Sequence, residues 1–184
     1  MNWKLILIAG VIVIGVLYYF FFQPKTESDF DTISSFFEKR GIEPFTIDDS
    51  VSNDDLMEIK ADLQNFSPLT SSSRNFALIL TAKIDVIQAL KMKDEVEIEI
   101  ENKVKFCDKV PLMENSLNYS DEISEKVKEY NAQLTLFEKE NETDYEKLKE
   151  SIARINIQKV LENIEEERET VINLRQLCQE LQLV

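Results

Sequence analysis

The sequence predicts an all-α protein: a single N-terminal transmembrane helix followed by an antiparallel three- to four-helix bundle with coiled-coil-like long helices. Three observations predict it. The 184 residues include only 3 Gly and 4 Pro, which leaves few sites for the tight turns of a strand-rich fold. Apolar residues in the charged part of the chain recur at spacings of three and four, as in amphipathic helices. The first apolar run is long enough to cross a bilayer.

The composition excludes much catalytic chemistry. The chain contains no His, which rules out mechanisms and metal sites that depend on imidazole. After residue 22 the only glycine is Gly41, so glycine-rich phosphate loops and the hydrolase nucleophile elbow are also excluded. We therefore predict that the protein is not an enzyme, uses no cofactor and has no evident small-molecule substrate.

Residues 5 to 22 form the predicted membrane segment, LILIAGVIVIGVLYYFFF. As a helix this run is about 27 Å long, enough to span the hydrocarbon core. Trp3 and the pair Tyr18 and Tyr19 stand near its two ends, where amphipathic rings favour the headgroup layer. A cleaved signal peptide is the main alternative, but no small-residue cleavage site follows Phe22. Residues 1 to 4 are then a short basic tail, and 5 to 22 a signal anchor in contact with membrane lipid.

The charges around this run give two answers on orientation. Lys25, Lys39 and Arg40 follow it, whereas Lys4 and the terminal amine precede it, and this count favours a bundle inside the cell. The short basic tail is typical of a signal anchor with its amino terminus inside, and acidic residues follow the run closely. We expect a membrane protein whose soluble domain is extracytoplasmic.

The rest of the chain is strongly acidic. The whole sequence has 21 Lys plus Arg and 35 Asp plus Glu, and only Lys4 of these lies before residue 23. Such a charge repels nucleic acid and anionic lipid surfaces. We predict no nucleic-acid binding and a protein partner of unknown identity.

Residues 23 to 50 are expected to form a juxtamembrane amphipathic helix and a linker. Phe30, Ile33 and Phe37 share one side of a helix over residues 26 to 40. Gly41 follows as a helix C-cap, because glycine adopts the left-handed conformation without strain.

Residues 51 to 184 are expected to form the acidic helical bundle. A helix over residues 52 to 66 begins at Ser52, with Asp55 three residues later in a capping-box pattern. Three long antiparallel helices follow over residues 73 to 107, 112 to 139 and 143 to 182. The alternating apolar and acidic residues of 93 to 106 would also suit a strand, but no second strand-like run offers a partner, so we predict helix.

The last predicted helix carries a heptad seam that Glu167 interrupts. Glu167 is expected to face Arg154, Lys159 or a basic side chain of a partner, to fix the register, or to point outward at a packing break. Four further glutamates share a helical side, and their spacing could suit a hard cation or an acid and base pair: Glu162, Glu165, Glu166 and Glu169. A solvated helix face explains them better.

The two cysteines are the candidate site residues. With one helix descending, the next climbing and the last descending, Cys107 and Cys178 both fall near the same end of the bundle. Outside the cytoplasm such a pair would be oxidised to a disulfide, and two buried free thiols are the alternative.

The sequence thus favours a single-pass membrane-anchored helical bundle that acts as a structural or protein-interaction module. An accessory or regulatory subunit of a membrane enzyme or transporter, with the bundle inside the cell, is the alternative. A carboxylate-dependent metal enzyme is a distant third.

Overall fold

A computed structural model describes residues 26–182, in which no strand is present. The helices are α1 (Thr26–Glu38), α2 (Asn53–Asn65), α3 (Ser71–Asn102), α4 (Val110–Glu140), α5 (Glu142–Leu148) and α6 (Ile157–Gln182), with a 3₁₀ turn at Cys107–Lys109 between α3 and α4. The all-α prediction is confirmed for these residues, which form a helical bundle.

The predicted membrane segment, residues 5 to 22, and the basic tail before it lie outside the described residues. Between residues 26 and 182, none of the helices combines the length and the apolar character needed to cross a bilayer.

The first two helices begin and end close to where the sequence places them. The hydroxyl of Ser52 accepts a hydrogen bond from the backbone N–H of Asp55 at 3.1 Å, which caps α2 as the pattern predicted. After α1, Gly41 adopts a φ of +68°, the left-handed conformation that its proposed C-cap role requires.

The main core lies between α1, α2, α3 and α4. Side chains from all four helices are fully buried there, including Phe37, Leu56, Phe76 and Phe137. Edge-on contacts between aromatic rings tie α1 to α3: the ring centroids of Phe30 and Phe76 are 5.3 Å apart. Helix α1 is therefore part of the same hydrophobic core as the long helices.

A buried carboxylate joins the start of α1 to the start of α3. Asp29 is only 3% exposed, and its Oδ2 accepts hydrogen bonds from the backbone N–H of Leu69 at 2.9 Å and of Thr70 at 3.3 Å, and from the Ser73 hydroxyl at 2.5 Å. These donors lie at the N-terminus of a helix, which presents unpaired N–H groups and the positive end of the helix dipole. We call this end of the bundle, where α1 and α3 both begin, the proximal end.

The prediction of one unbroken helix over residues 143 to 182 is wrong. The chain leaves the helical conformation after Leu148 and resumes it at Ile157. In between, Ile152 is fully buried, and the Tyr130 hydroxyl donates a hydrogen bond to the carbonyl of Ala153 at 3.0 Å.

Side chains of α4 replace the hydrogen bonds that this non-helical segment gives up. Asn131 donates from Nδ2 to the carbonyl of Ile155 at 2.8 Å and accepts from its N–H at 3.2 Å. Burial, with a smaller contribution from Tyr145, raises the pKa of Tyr130 to about 12, so its hydroxyl remains a donor at neutral pH. The segment is held by tertiary contacts that helical spacing cannot reveal.

Residues 93 to 106 also differ in part from their prediction. They are helical as far as Asn102, after which the chain leaves the helix through Lys103, so the predicted end at residue 107 is wrong. The last residue of α3 in the buried core is Ala89. The remaining turns of α3 therefore project past the main core.

In this projecting half, α3, α4 and α6 form a smaller, three-helix part of the bundle. Helix α6 runs antiparallel to α4, as ion pairs of Arg168 with Asp121 at 3.0 Å and of Arg175 with Glu114 show. It buries only the single row Ile164, Val171 and Cys178. Because α3 has 32 residues, the far end of this half lies about 48 Å from the proximal end. We call it the distal end.

Candidate functional site

The cysteine pair lies at the distal end. Cys107 and Cys178 are 71 residues apart in sequence, and their sulfur atoms lie at bonding distance with a Cα–Cα separation of 5.6 Å, inside the usual range for disulfides. The bridge joins the 3₁₀ turn after α3 to the last turns of α6. The structure thus brings together the two predicted site residues, and their oxidation in the compartment of the protein stays a prediction.

Glu167, the glutamate that interrupts the heptad seam, connects three helices. It forms an ion pair with Lys93 of α3 and accepts a hydrogen bond from the Ser120 hydroxyl of α4 at 2.6 Å. Neither Arg154 nor Lys159, the two partners suggested by the sequence, makes this contact. Arg154 instead pairs with Glu138 at 2.6 Å.

The Lys93 ammonium is held between two carboxylates. Its side chain is 15% exposed, and its Nζ also lies 3.2 Å from Glu97. Burial alone would lower the pKa of Lys93, but the hydrogen bonds and charges of Glu167 and Glu97 outweigh it and raise the pKa. The lysine is therefore a firmly charged link between α3 and α6.

Around this link, α3, α4 and α6 leave a groove of about 540 Å³ between them. Apolar side chains contribute to its lining: Ile100 of α3, Met113 of α4 and Val171 of α6. Ser116 of α4 and Thr170 of α6 add small polar groups. We call this feature the α3–α6 groove.

The groove is also lined by carboxylates from both of the helices that flank it. Glu97 and Glu101 come from α3, and Glu166 and Glu167 from α6. The first three are exposed to solvent. Because Glu97 and Glu167 pair with Lys93, the charges of Glu101 and Glu166 are left to the groove.

The other acidic candidates do not gather around a point. Glu162, Glu165, Glu166 and Glu169 are all exposed, and Glu165 lies 3.8 Å from Arg168. In the portion of the chain covered by the structure, no group of three or more ligand side chains is arranged to hold a metal ion.

A short basic and apolar loop follows α3 at the distal end. It comprises residues 103 to 106, of which Val104 is 98% exposed and Phe106 is 46% exposed. Lys103 and Lys105 alternate with these apolar residues. The loop contrasts with the acidic surface beside it.

These features define the class of protein only at the level of architecture: an all-α bundle with a well-packed proximal half and an open, acidic distal groove. Comparison of the chain with protein-family models, with curated proteins and with solved structures finds no match. The function must therefore be argued from the groove itself.

The groove is the feature that sequence reasoning missed. Its carboxylates were visible as an exposed helix face, but nothing in the spacing of α3 indicates how far its end lies from α6. The available signal was the stretch of residues 95 to 101, in which apolar residues alternate with glutamates, because such a stretch does not supply a normal buried helix face.

Proposed function

We propose that this protein is a single-pass membrane-anchored protein-interaction module, tethered through residues 5 to 22, with its helical bundle outside the cytoplasm. The observation that carries the proposal is the α3–α6 groove, in which the partly exposed apolar side chains of Ile100 and Met113 lie between exposed carboxylates of α3 and α6. Accessible apolar surface ringed by polar groups is typical of protein interaction sites.

The positions of residue 26 and of the groove at opposite ends of the bundle support the same proposal. Residue 26, the first described residue, belongs to α1 at the proximal end, because Asp29 contacts the start of α3. The groove lies in the distal half, beyond Ala89. A tether that precedes residue 26 therefore leaves the groove facing away from the membrane and open to a partner.

The anchor and the orientation are tested together on intact cells. A tag after Val184 should be cleaved by an added impermeant protease, and the full-length protein should sediment with membranes after an alkaline wash. A matched variant without residues 5 to 22 should remain in the supernatant. Full-length protein that stays soluble, or a mature chain that begins after Phe22, would contradict the anchor.

A second candidate is an accessory or regulatory subunit of a membrane enzyme or transporter, with the bundle inside the cell. The observation in its favour is that Lys25, Lys39 and Arg40 follow the apolar run, since basic residues next to a membrane helix favour the cytoplasmic side. In the protease experiment, this candidate requires a tag that is protected until the cells are opened.

A further inference from the structure

We propose that the α3–α6 groove binds a basic amphipathic helix of a protein partner. The inference rests on the proposed function and names the chemistry of its partner. It combines three properties of the groove: its direction, its lining and its charge.

The direction of the groove suits a helix. It lies between α3 and α6, and on α6 it extends from Asn163 to Val171, which is about two helical turns. From Thr170, steps of seven and four residues along the same side of α6 reach Leu177 and Leu181, which are 45% and 61% exposed. The same face therefore continues toward the end of α6, for about 27 Å in all.

The lining suits apolar residues that recur at helical spacing. Ile100, Met113 and Val171 come from three different helices, so a helix between α3 and α6 would complete a four-helix arrangement in the distal half. Helices that bind in such grooves insert side chains at positions i, i+3, i+4 and i+7.

The charge selects a basic helix over other helices. Glu101 and Glu166 line the groove from α3 and from α6. The described ion pairs of the lining carboxylates involve a single cation, Lys93, which is already shared by Glu97 and Glu167. Lysine or arginine residues flanking the apolar stripe of a partner would meet both rows of carboxylates, and charge complementarity of this kind speeds association and excludes acidic partners. A second copy of the chain is less suited, because each copy has a net charge of -14.

Binding can be measured with a model peptide and the full-length protein in detergent micelles. The probe is a fluorescent 18-residue peptide with leucines at helical spacing and lysines elsewhere. A control peptide has glutamates in place of the lysines. We expect the lysine peptide to bind and the glutamate peptide not to bind. The groove variant Glu101→Lys/Glu166→Lys should weaken its binding at least tenfold.

The matched control is Glu99→Lys/Glu169→Lys, which makes the same change of charge on the same two helices at exposed positions outside the groove lining. It should change the affinity less than about threefold. Equal weakening by both variants would mean attraction to the overall charge, and would overturn the assignment of the groove. Circular dichroism of each variant establishes that it is folded.

A second measurement does not depend on charge substitutions. A photo-crosslinking amino acid replaces Thr170, in the groove, or Ile172, which is 56% exposed and about 200° away around the helix. In native membranes, we expect adducts at position 170 from a partner segment with excess Lys and Arg and apolar residues at helical spacing. Position 172 should give none from that segment.

The remaining outcomes separate the two proposals. Adducts at position 170 with the chain itself, with loop 103 to 106 of a second copy, or with an acidic segment would overturn the basic-helix inference and leave an interaction module standing. Adducts with a partner that form from position 172 only would show that the partner binds outside the groove, and would overturn the basic-helix inference. No protein adduct from either position, with no partner recovered by general crosslinking, would overturn the proposed function itself.

Discussion

Lys93 of α3 and Glu167 of α6 form an ion pair that joins the two helices, and Glu167 also lines the α3–α6 groove. The same glutamate accepts a hydrogen bond from Ser120 of α4. A single polar residue in an otherwise apolar seam therefore links three helices, and we expect it to fix their relative register, as polar seam residues do in coiled coils.

Replacing this glutamate should destabilise the distal half. The variant Glu167→Ala leaves the largely buried Lys93 ammonium with Glu97 as its remaining partner, so we expect a loss of about 1–2 kcal/mol in the free energy of unfolding. Urea denaturation provides the measurement. The exposed neighbour is the control: Glu169→Ala should change stability by less than about 0.5 kcal/mol. Equal effects of the two substitutions would show that Glu167 has no special role.

The same ion pair predicts a loss of stability at alkaline pH. The pKa of Lys93 is raised above its ordinary value of 10.5 in the folded protein, so folding favours the protonated form. Its contribution is complete below pH 10.5 and is lost as the pH rises through the higher pKa of the folded state.

The measurement compares the wild type with Lys93→Met, in which only this titration is absent. Denaturant unfolding from pH 8 to 12 should show a constant stability difference up to about pH 10 and a decreasing one above it. The other lysines and the tyrosines titrate in both proteins and cancel. A difference that stays flat to pH 12 would contradict the assignment.

Asp29 should be important for joining α1 to α3. In Asp29→Asn the negative charge at the start of α3 is lost, together with part of its hydrogen bonding to Leu69, Thr70 and Ser73. We expect a loss of about 1–2 kcal/mol in unfolding free energy. Asp31→Asn, an exposed substitution in the same helix, is the control and should be nearly neutral in thermal unfolding. A neutral Asp29→Asn would mean that the amide satisfies the same donors equally well.

Removing the disulfide should loosen α6 more than the rest of the fold. For a bridge across 71 residues, Cys107→Ser/Cys178→Ser should lower the free energy of unfolding by about 4 kcal/mol. Hydrogen exchange should increase first in α6, which buries a single row of side chains, while the buried part of α3 stays protected.

The oxidation state itself is measured by mass spectrometry of the non-reduced protein from its native compartment. A bonded pair lowers the mass by two hydrogens. Two free thiols after folding in that compartment would contradict the bridge.

The sequence predicted best those features that depend on local interactions. The start of α2 follows from Ser52 and Asp55, which are three residues apart. The end of α1 follows from Gly41, because glycine adopts the left-handed conformation of a C-cap without strain. The meeting of Cys107 and Cys178 followed from the alternating directions and the lengths of the predicted helices. This prediction is correct even though the helix predicted over residues 143 to 182 is broken, because residues 149 to 156 still lead the chain back along α4.

Features that depend on distant partners could not be predicted in this way. The break before α6 needs hydrogen bonds from Tyr130 and Asn131, which belong to another helix. Asp29 finds its donors some forty residues away. The groove depends on how α3 and α6 are placed beside α4, and no residue pattern within either helix encodes the distance between them.

The position of the bridge also determines how the molecule would bear a mechanical load. Tension between a membrane tether and a partner seated beside α6 would try to strip that helix from α4. Because Cys178 lies in the last turns of α6 and is joined to Cys107, the helix cannot peel away from that end one turn at a time. Tension would instead act as shear along the whole contact between α6 and α4. The ion pairs of Arg168 and Arg175 and the buried row of α6 would then have to break together.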